Sequence, residues 1–555
     1  MPARRTHCLS IALTCLGLSV LAACGGSDDD STATYPPSDC DYVYTLTDSR
    51  QLDGIDPLLT LQWHLENVGQ SGGTWGEDIR AKAAWAEFGV RGEGIRVAVV
   101  DDAIETVHHD LAPNLVPGAV WDYRSQTATA PLPCYTTDDH GTAVTGIILA
   151  RDGNAFQGAG VAPRAGLAAY NALATSTDAD IADALTRDLA ANAIYNNSWG
   201  SPDNGMLNRA EDSFVAAVRA GVASGRGGLG SLYVFPAGNG GCYLVDANGD
   251  CAFDENSNYD GYVNQFGMIA SCAVDDNGQA PLYAEPGANL LVCGPSGNSR
   301  SAISTTDVQN GFRSDFSGTS ASTPMVSGAA ALVLSARPDL TWRDVRLILA
   351  YSARRNDPGH PGWSLTGARA FNPFYGFGAA DAQAAVRLAL GWSSVGGSKD
   401  LIACPPETSP PYARGGGAAP FPIAILDSSS STREDTLSVT DCGISKIEFV
   451  EIGFSATHPY SGDLRVDLIS PLNQVSRLAD GRLCDPDGDG TADNCGDYDN
   501  WRFGSVRHLD EPVPGDWRLQ VTDLLCDDPN LADQALCTSE ASGQWSGWTL
   551  RFWGR

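Results

Sequence analysis

The sequence predicts an α/β domain with a central parallel sheet over residues 51–392, followed by an all-β domain over residues 404–555. Three observations predict this order. Short apolar runs such as Ile95-Arg96-Val97-Ala98-Val99-Val100 and Ser231-Leu232-Tyr233-Val234-Phe235 read as buried strands, and they alternate with helical patterns. Strands alternating with helices imply a parallel sheet covered on both faces, with ligand sites beyond the carboxyl ends of the strands. Between Gly391 and Ala419 the composition turns to Gly, Ser and Pro, which marks a boundary with residues 393–403 as linker. Beyond it, Leu464-Arg465-Val466-Asp467-Leu468-Ile469 and Trp517-Arg518-Leu519-Gln520-Val521 alternate at period two, as half-buried strands do.

In chain order, the N-terminus reads as an address. Arg4 and Arg5 precede an apolar run from Leu9 to Leu21 that is too short to span a bilayer, and small residues follow. Residues 1–24 are therefore expected to be a signal peptide. The ending Leu21-Ala22-Ala23-Cys24-Gly25 resembles the lipobox of bacterial lipoproteins, which implies cleavage before Cys24 and lipid on its sulfur. A polar tether, residues 25–50, follows. The expectation is an exported protein held by a lipid anchor at the outer membrane, in the periplasm or at the cell surface, or released from there.

Inside the first domain, Ile181 to Ile194 and Ser213 to Ala223 have helical apolar spacing, and Val326 to Leu334 is long enough for a buried helix. The charge is lopsided, with 67 Asp and Glu against 35 Lys and Arg, a net −32. Such a surface repels nucleic acid and attracts cations, so calcium and basic peptide segments are the expected partners. Of 15 cysteines, twelve remain after Cys8, Cys15 and Cys24 are set aside, an even number that suits an oxidising compartment. Local pairs suggest themselves for Cys242 with Cys251, Cys272 with Cys293, Cys484 with Cys495, and Cys526 with Cys537. Cys40 with Cys134 and Cys404 with Cys442 are left over.

Three segments carry chemistry. Asp101 follows the strand ending Val99-Val100, His140 stands in Asp139-His140-Gly141-Thr142, and Ser320 stands in Ser317-Gly318-Thr319-Ser320-Ala321-Ser322-Thr323-Pro324 at the start of the buried helix. A hydroxyl needs a base to take its proton, and an imidazole needs a carboxylate to fix its tautomer. Asp, His, Ser is the chain order of the subtilisin triad. A serine at a helix N-terminus also has partial positive charge beside it for a developing oxyanion.

These motifs, with Val100-Asp101-Asp102, Asn197-Ser198-Trp199-Gly200, Gly225-Arg226-Gly227-Gly228-Leu229-Gly230, Gly238-Asn239-Gly240-Gly241 and Tyr259-Asp260-Gly261-Tyr262, resemble the kexin/furin proprotein-convertase branch of the subtilisin superfamily. Residues 404–555 resemble the jelly-roll P domain of that branch, through His458-Pro459-Tyr460-Ser461-Gly462-Asp463-Leu464 and Gly515-Asp516-Trp517-Arg518. His458 reads as structural there.

The resemblance implies a calcium-dependent serine endopeptidase that cleaves after Arg or Lys, with a preference for paired basic residues. It makes Asn239 the oxyanion donor. It makes Asp203 and Asp260 the acidic pocket for the basic side chain, beside Trp199 and Gly200, and Asp102 the contact for the preceding residue. One calcium site would use Asp56, Asp110, Asn154 and the carbonyls of Arg151, Phe156 and Gly158. A second would use Asp203 and Glu285, with a third ligand sought among Asp246, Asn248 and Asp250 in an insertion. Independently, Asp485, Asp487 and Asp489 alternate as at the start of an EF-hand loop, without its closing Glu. Convertases carry a prodomain of several dozen residues, for which the stretch from Cys24 to Asp56 is too short, so the expectation is either a chain that folds unaided or a separate folding chaperone, of which the second is preferred. The rival readings are a broad degradative subtilisin and a binding or adhesive protein on a protease scaffold.

Overall fold

The computed structural model describes residues 54–242, 244–245, 251–253, 255–364, 366–426, 431–440, 442–487, 494–524 and 541–555. In the first part, strands β1 (Arg96–Val100), β2 (Leu115–Trp121), β3 (Gly166–Tyr170), β4 (Asn192–Asn197) and β5 (Leu232–Pro236) come first. A small antiparallel hairpin, β6 (Leu244–Val245) with β7 (Cys251–Phe253), precedes β8 (Met268–Val274) and β9 (Leu290–Pro295). Apart from the hairpin, these strands form one seven-stranded sheet in the order β2-β3-β1-β4-β5-β8-β9, every pair parallel. The near-continuous burial of β1, β4, β5, β8 and β9 is what a parallel sheet covered on both faces demands.

The helices are α1 (Ala81–Phe88), α2 (His140–Leu149), α3 (Asp178–Thr186), α4 (Asp212–Gly228), α5 (Thr319–Ala336), α6 (Trp342–Ser352) and α7 (Ala382–Leu390). Helix α4 packs on β4 and β5 with α3 beside it, while α5 runs against β4, β5, β8 and β9 and touches α2 and α7. Almost every side chain of α5 is buried, so its small-residue sequence reflects close backbone approach; a Cβ at Gly328 would lie 2.5 Å from the Val161 side chain. A hairpin of β10 (Ile303–Asp307) and β11 (Gly311–Phe316) lies beside α2.

The second part is all antiparallel β. Strand β21 (Ala541–Gly554) pairs with β12 (Ile402–Cys404), β13 (Tyr412–Gly415), β14 (Ile423–Leu426) and β16 (Ile447–Thr457), and β16 pairs in turn with β19 (Tyr498–Ser505). The facing sheet runs β15 (Arg433–Val439), β20 (Gly515–Asp523), β17 (Leu464–Ile469), β18 (Val475–Ala479). Apolar residues from both sheets, including Trp517, Trp545 and Trp548, fill one core between them. His458 is structural, as expected: its Nε2 lies 3.1 Å from Asp523 Oδ2 and its Nδ1 accepts from the Tyr460 N–H. Among the expected disulfides, Cys272–Cys293, Cys404–Cys442 and Cys484–Cys495 are formed, and Cys134 and Cys242 are disulfide-bonded. Cys40, Cys526 and Cys537 lie outside the described residues.

One sequence expectation is corrected, and one is extended. The helical pattern read over Ile181 to Ile194 belongs to α3 only as far as Thr186; Asp188 takes φ of 56°, and Asn192–Asn197 is a strand buried on both faces. A fully buried strand has a continuous apolar run that periodicity cannot tell from a helix. The linker expected at 393–403 is not a loose tether. Asp344 accepts from Trp392 Nε1, the Ser394 hydroxyl and the Val395 N–H, and Arg343 Nη1 donates to the carbonyls of Val395, Gly396 and Gly397.

Arg343 also joins the α/β part to the β sandwich. Its Nε and Nη2 donate to the two carboxylate oxygens of Glu448 at 3.0 and 2.6 Å, with both side chains buried. Beside this pair Phe266 stacks on Trp553 with centroids 4.7 Å apart. Removing one member of a buried ion pair strands the other charge in a poor solvent. Glu448 keeps Arg555 Nη1 at 3.0 Å, so Arg343→Met is expected to cost less stability than the loss of about 3–5 kcal/mol that a fully stranded charge brings, read as the shift in a urea unfolding curve. The double variant with Glu448→Leu should recover much of that loss.

Candidate active site

Strand β1 ends in the middle of the sheet, and the next residue, Asp101, is fully buried there with its N–H held by the Tyr170 carbonyl. Asp101 Oδ1 lies 2.8 Å from His140 Nδ1, the first residue of α2. Asp102 brings the two segments together. Its Oδ1 accepts from the Gly141 N–H at 2.8 Å and its Oδ2 from the His140 N–H at 3.2 Å. Gly141 is required at this contact, because a Cβ there would lie 2.4 Å from the Ala103 carbonyl oxygen. The resemblance implies a substrate contact for Asp102; in the structure both its oxygens also hold the N-terminus of α2, where a carboxylate is favoured. Burial lowers the His140 pKa, but the Asp101 charge and hydrogen bond, then Asp102 and Asp139, outweigh it and raise the imidazole to about 9.

Ser320 sits in the first turn of α5, where backbone N–H groups have no partner within the helix. Its hydroxyl donates to the Ser198 carbonyl at 3.1 Å. Gly318, at φ of 80°, turns the chain into the helix, and its carbonyl accepts from the Ser296 hydroxyl at 2.7 Å. Asn239 is locked beside it. Its Oδ1 accepts from the Thr319 N–H at 2.8 Å and the Thr319 hydroxyl at 2.9 Å. That fixes the amide flip and leaves Nδ2, which has no acceptor among the described residues, as an available donor next to Ser320.

Behind Asn239 lie three carboxylates. Ligand atoms of Asp203, Glu255 and Glu285 all fall within 4.8 Å of one another. Each also holds a backbone N–H: Asp203 that of Asn239 at 3.0 Å, Glu255 that of Gly205 at 3.0 Å, and Glu285 that of Gly240 at 2.9 Å. The glycines make room, since a Cβ at Gly238 would stand 2.1 Å from Glu285 Oε1 and one at Gly240 2.4 Å from Glu255 Oε2. Burial and then mutual repulsion push Glu255 up to about 8 and Glu285 well above its ordinary range. Asp203 is raised too, chiefly by burial. Hard oxygen donors gathered this closely fit a divalent cation such as calcium. Sequence reasoning sought the third ligand at Asp246, Asn248 or Asp250, which lie outside the described residues; the structure supplies Glu255 instead.

Asp260 lies alongside, directly under the exposed Gly200, where a Cβ would be 2.6 Å from its Oδ2. It accepts from the N–H and hydroxyl of Ser201 and from the Tyr262 N–H, and burial raises it to about 6. Trp199 forms the adjoining wall, edge-on to Phe235 and Tyr262, with Nε1 donating to the Val100 carbonyl at 3.0 Å.

The other expected cation site is also brought together. Asp56 accepts from the N–H groups of Gly153 and Asn154, Asn154 Nδ2 donates to Asp110 Oδ1 at 2.7 Å, and Asn154 Oδ1 accepts from the Phe156 N–H. The Arg151 N–H bonds the Asp110 carbonyl. Asp110 Oδ2 is buried with no hydrogen-bond partner among the described residues, and burial raises this carboxyl to about 7. An orphaned buried carboxylate oxygen in that company fits calcium. Gly158 lies in the same loop and approaches Asp110 through its backbone. Asp485 and Asp487 stand in the loop that opens at Cys484, while Asp489 and Cys24 lie outside the described residues.

A family model described as "Subtilase family" matches residues 92–378, and one described as "Proprotein convertase P-domain" matches residues 447–534. The chain is 31% identical over 502 residues to the kexin of Candida albicans, covering 89% of this chain and 51% of that protein. It is 33% identical over 504 residues to the dibasic-processing endoprotease of Schizosaccharomyces pombe, covering 90% and 65%. The chain thus spans between half and two thirds of the length of these curated relatives. The crystal structure of a serine protease of Aeromonas sobria superposes with a TM-score of 0.77 at 27% identity, covering 92% of this chain and 98% of that one. That protease is also known in complex with a chaperone.

The electrostatics of His140 give a direct test. In the Ser320→Ala variant its imidazole should titrate well above 6.5, towards about 9, by NMR. Asp101→Asn removes the nearest negative charge and should bring the titration down by more than one unit, since burial then acts with little to oppose it.

Proposed function

The chain belongs to the subtilase family, in the kexin-like branch that carries a P domain, and from there we propose that it is a serine endopeptidase that cleaves peptide bonds after Arg or Lys. The observation that carries this reading is the Asp101–His140 bond at the start of α2, which packs on the helix α5 whose first turn holds Ser320, with a cluster of carboxylates behind Asn239. In the first step Ser320 Oγ turns from the Ser198 carbonyl towards His140 Nε2 and gives up its proton there while the Oγ–C bond forms. The tetrahedral oxygen is met by the Ser320 N–H and Asn239 Nδ2. Collapse breaks the C–N bond, and His140 returns the proton to the leaving amine. Water then repeats the sequence on the acyl-enzyme.

Specificity follows from the carboxylates. A basic side chain entering between Trp199 and Gly200 meets Asp203 and Asp260, and a guanidinium can satisfy both by directed hydrogen bonds. Calcium would be held by Asp203, Glu255 and Glu285 and, separately, by Asp56, Asp110 and Asn154; it supplies charge neutralisation and fixes the loops. The kinship with the dibasic-processing endoprotease of Schizosaccharomyces pombe supports a paired-basic preference, for which Asp102 is the candidate contact with the preceding residue. Residues 1–24 support export as a lipid-anchored protein through their sequence pattern alone. No helix among the described residues is long and apolar enough to cross a membrane. The chaperone complex of the Aeromonas protease supports a separate folding partner.

Fluorogenic peptides test the reading. Hydrolysis after Arg should exceed that after Leu by at least about two orders of magnitude in kcat/KM, as a site built around buried polar groups discriminates. Equal turnover would instead favour a broad degradative subtilisin. Ser320→Ala should abolish turnover, and an unchanged rate would overturn the triad reading; no turnover by the unsubstituted chain would point to the adhesive alternative. Asn239→Ala should lower kcat about 10²–10³-fold with KM little changed. A calcium chelator should lower both the melting temperature and the Arg-directed activity, and added calcium should restore them.

A further inference from the structure

The β sandwich reaches the acidic pocket through one buried arginine. Arg482, 2% exposed, donates from Nε to the Gly205 carbonyl at 2.5 Å and from Nη1 to the Tyr498 hydroxyl at 2.7 Å. Its guanidinium carbon stands 4.2 Å from the centroid of the Tyr259 ring, close enough for a strong cation–π contact. Its Nη2 is buried with no partner among the described residues. Gly205 is thereby held from both sides, because its own N–H donates to Glu255 Oε1 at 3.0 Å. The contact is tight: Gly205 has φ of +77°, and a Cβ there would lie 1.9 Å from the Leu483 carbonyl oxygen.

The neighbouring contacts converge on the same loops. The Tyr259 hydroxyl donates to the Asp480 carbonyl and accepts from the Asp480 N–H, and the Asp485 N–H donates to the Asn204 carbonyl. Asn204 and Gly205 directly follow Asp203, Tyr259 directly precedes Asp260, and Glu255 is bonded to Gly205 itself. Both carboxylates assigned to the basic-residue pocket, Asp203 and Asp260, thus lie on segments that the strip from Asp480 to Asp485 grips, and Glu255 of the cation cluster is bonded to one of them. The disulfide from Cys484 to Cys495 anchors the far end of that strip.

We propose that Arg482 is a positioning residue of the primary pocket, fixing the Gly205 peptide and the Tyr259 ring and, through them, the carboxylates that meet a basic side chain and a cation. This rests on the pocket reading given above. Arg482 touches neither substrate nor cation. It acts by orientation, as groups that hold ligands commonly do, and the loss of such a group typically lowers affinity or activity about 10–100-fold. A lysine has the charge but not the planar fork that donates in two directions while lying over a ring.

The test uses the full chain. In a Ser320→Ala background, thermal midpoints are followed against calcium concentration, and Glu255→Gln identifies the step that belongs to the three-carboxylate cluster. Arg482→Met should move that same step about tenfold or more to higher calcium and leave the remaining dependence unchanged. In the active chain at saturating calcium, Arg482→Met should raise KM for an Arg peptide about tenfold, with kcat per active site nearly unchanged by burst titration. Arg482→Lys should fall between, and it carries the test if the Met variant fails to fold. A lower melting temperature with the calcium step and KM both unmoved would make Arg482 mere packing and overturn the proposal. If Glu255→Gln leaves the calcium curve untouched, the cation reading of the cluster fails, and the KM shift alone then decides for or against Arg482.

Discussion

Asp203, Glu255 and Glu285 converge where water is scarce, and like charges so placed cannot all be ionised without a counter-charge. The rest of the site is arranged around that constraint. The backbone N–H groups they accept from are those of Asn239, Gly205 and Gly240, so the same carboxylates shape the loop that presents the oxyanion donor. Binding of a cation or a cationic side chain and construction of the catalytic surface are therefore one structural event. The glycines at 238 and 240 follow from it, since any side chain there would occupy the space of a carboxylate oxygen.

The parallel sheet explains how residues far apart in the chain meet. Asp101 leaves the carboxyl end of β1, Ser198 and Trp199 leave that of β4, and Asn239 leaves that of β5, three adjacent strands. Helices α2 and α5 start at the same edge, so their N-termini bring His140 and Ser320 there with N–H groups that have no partner within the helix and the positive end of each dipole. Asp102 is the pin between strand and helix. Its place shows how a residue that looks like a ligand contact in the linear order is used to hold the catalytic histidine in register.

Much of this was legible in the sequence because the residues concerned sit in local motifs. Asp101, His140, Asn239 and Ser320 each carry a signature of neighbours, and the two-domain division followed from periodicity and from the Gly-rich stretch after Gly391. What escaped was set by distant contacts. Glu255 follows an insertion that destroys any spacing argument, and only folding shows its carboxylate meeting Asp203 and Glu285. The segment from Arg187 to Ile194 was misread because a strand buried on both faces has no alternation to see. The order of residues 393–403 depends on Arg343 and Asp344, some fifty positions earlier in the chain. Arg482 looks like any surface cation until Gly205 and Tyr259 are found against it.

The pairing of β21 has a temporal side. One strand, residues 541–554, zips against β12, β13, β14 and β16, so until it emerges from the ribosome four earlier strands of that sheet lack a neighbour. The sandwich that lodges Arg482 against Gly205 is thus completed only when this last strand has been made. The strands of the seven-stranded sheet, by contrast, all precede residue 296, so in chain order the sheet that carries the cleft comes before the brace behind its acidic wall.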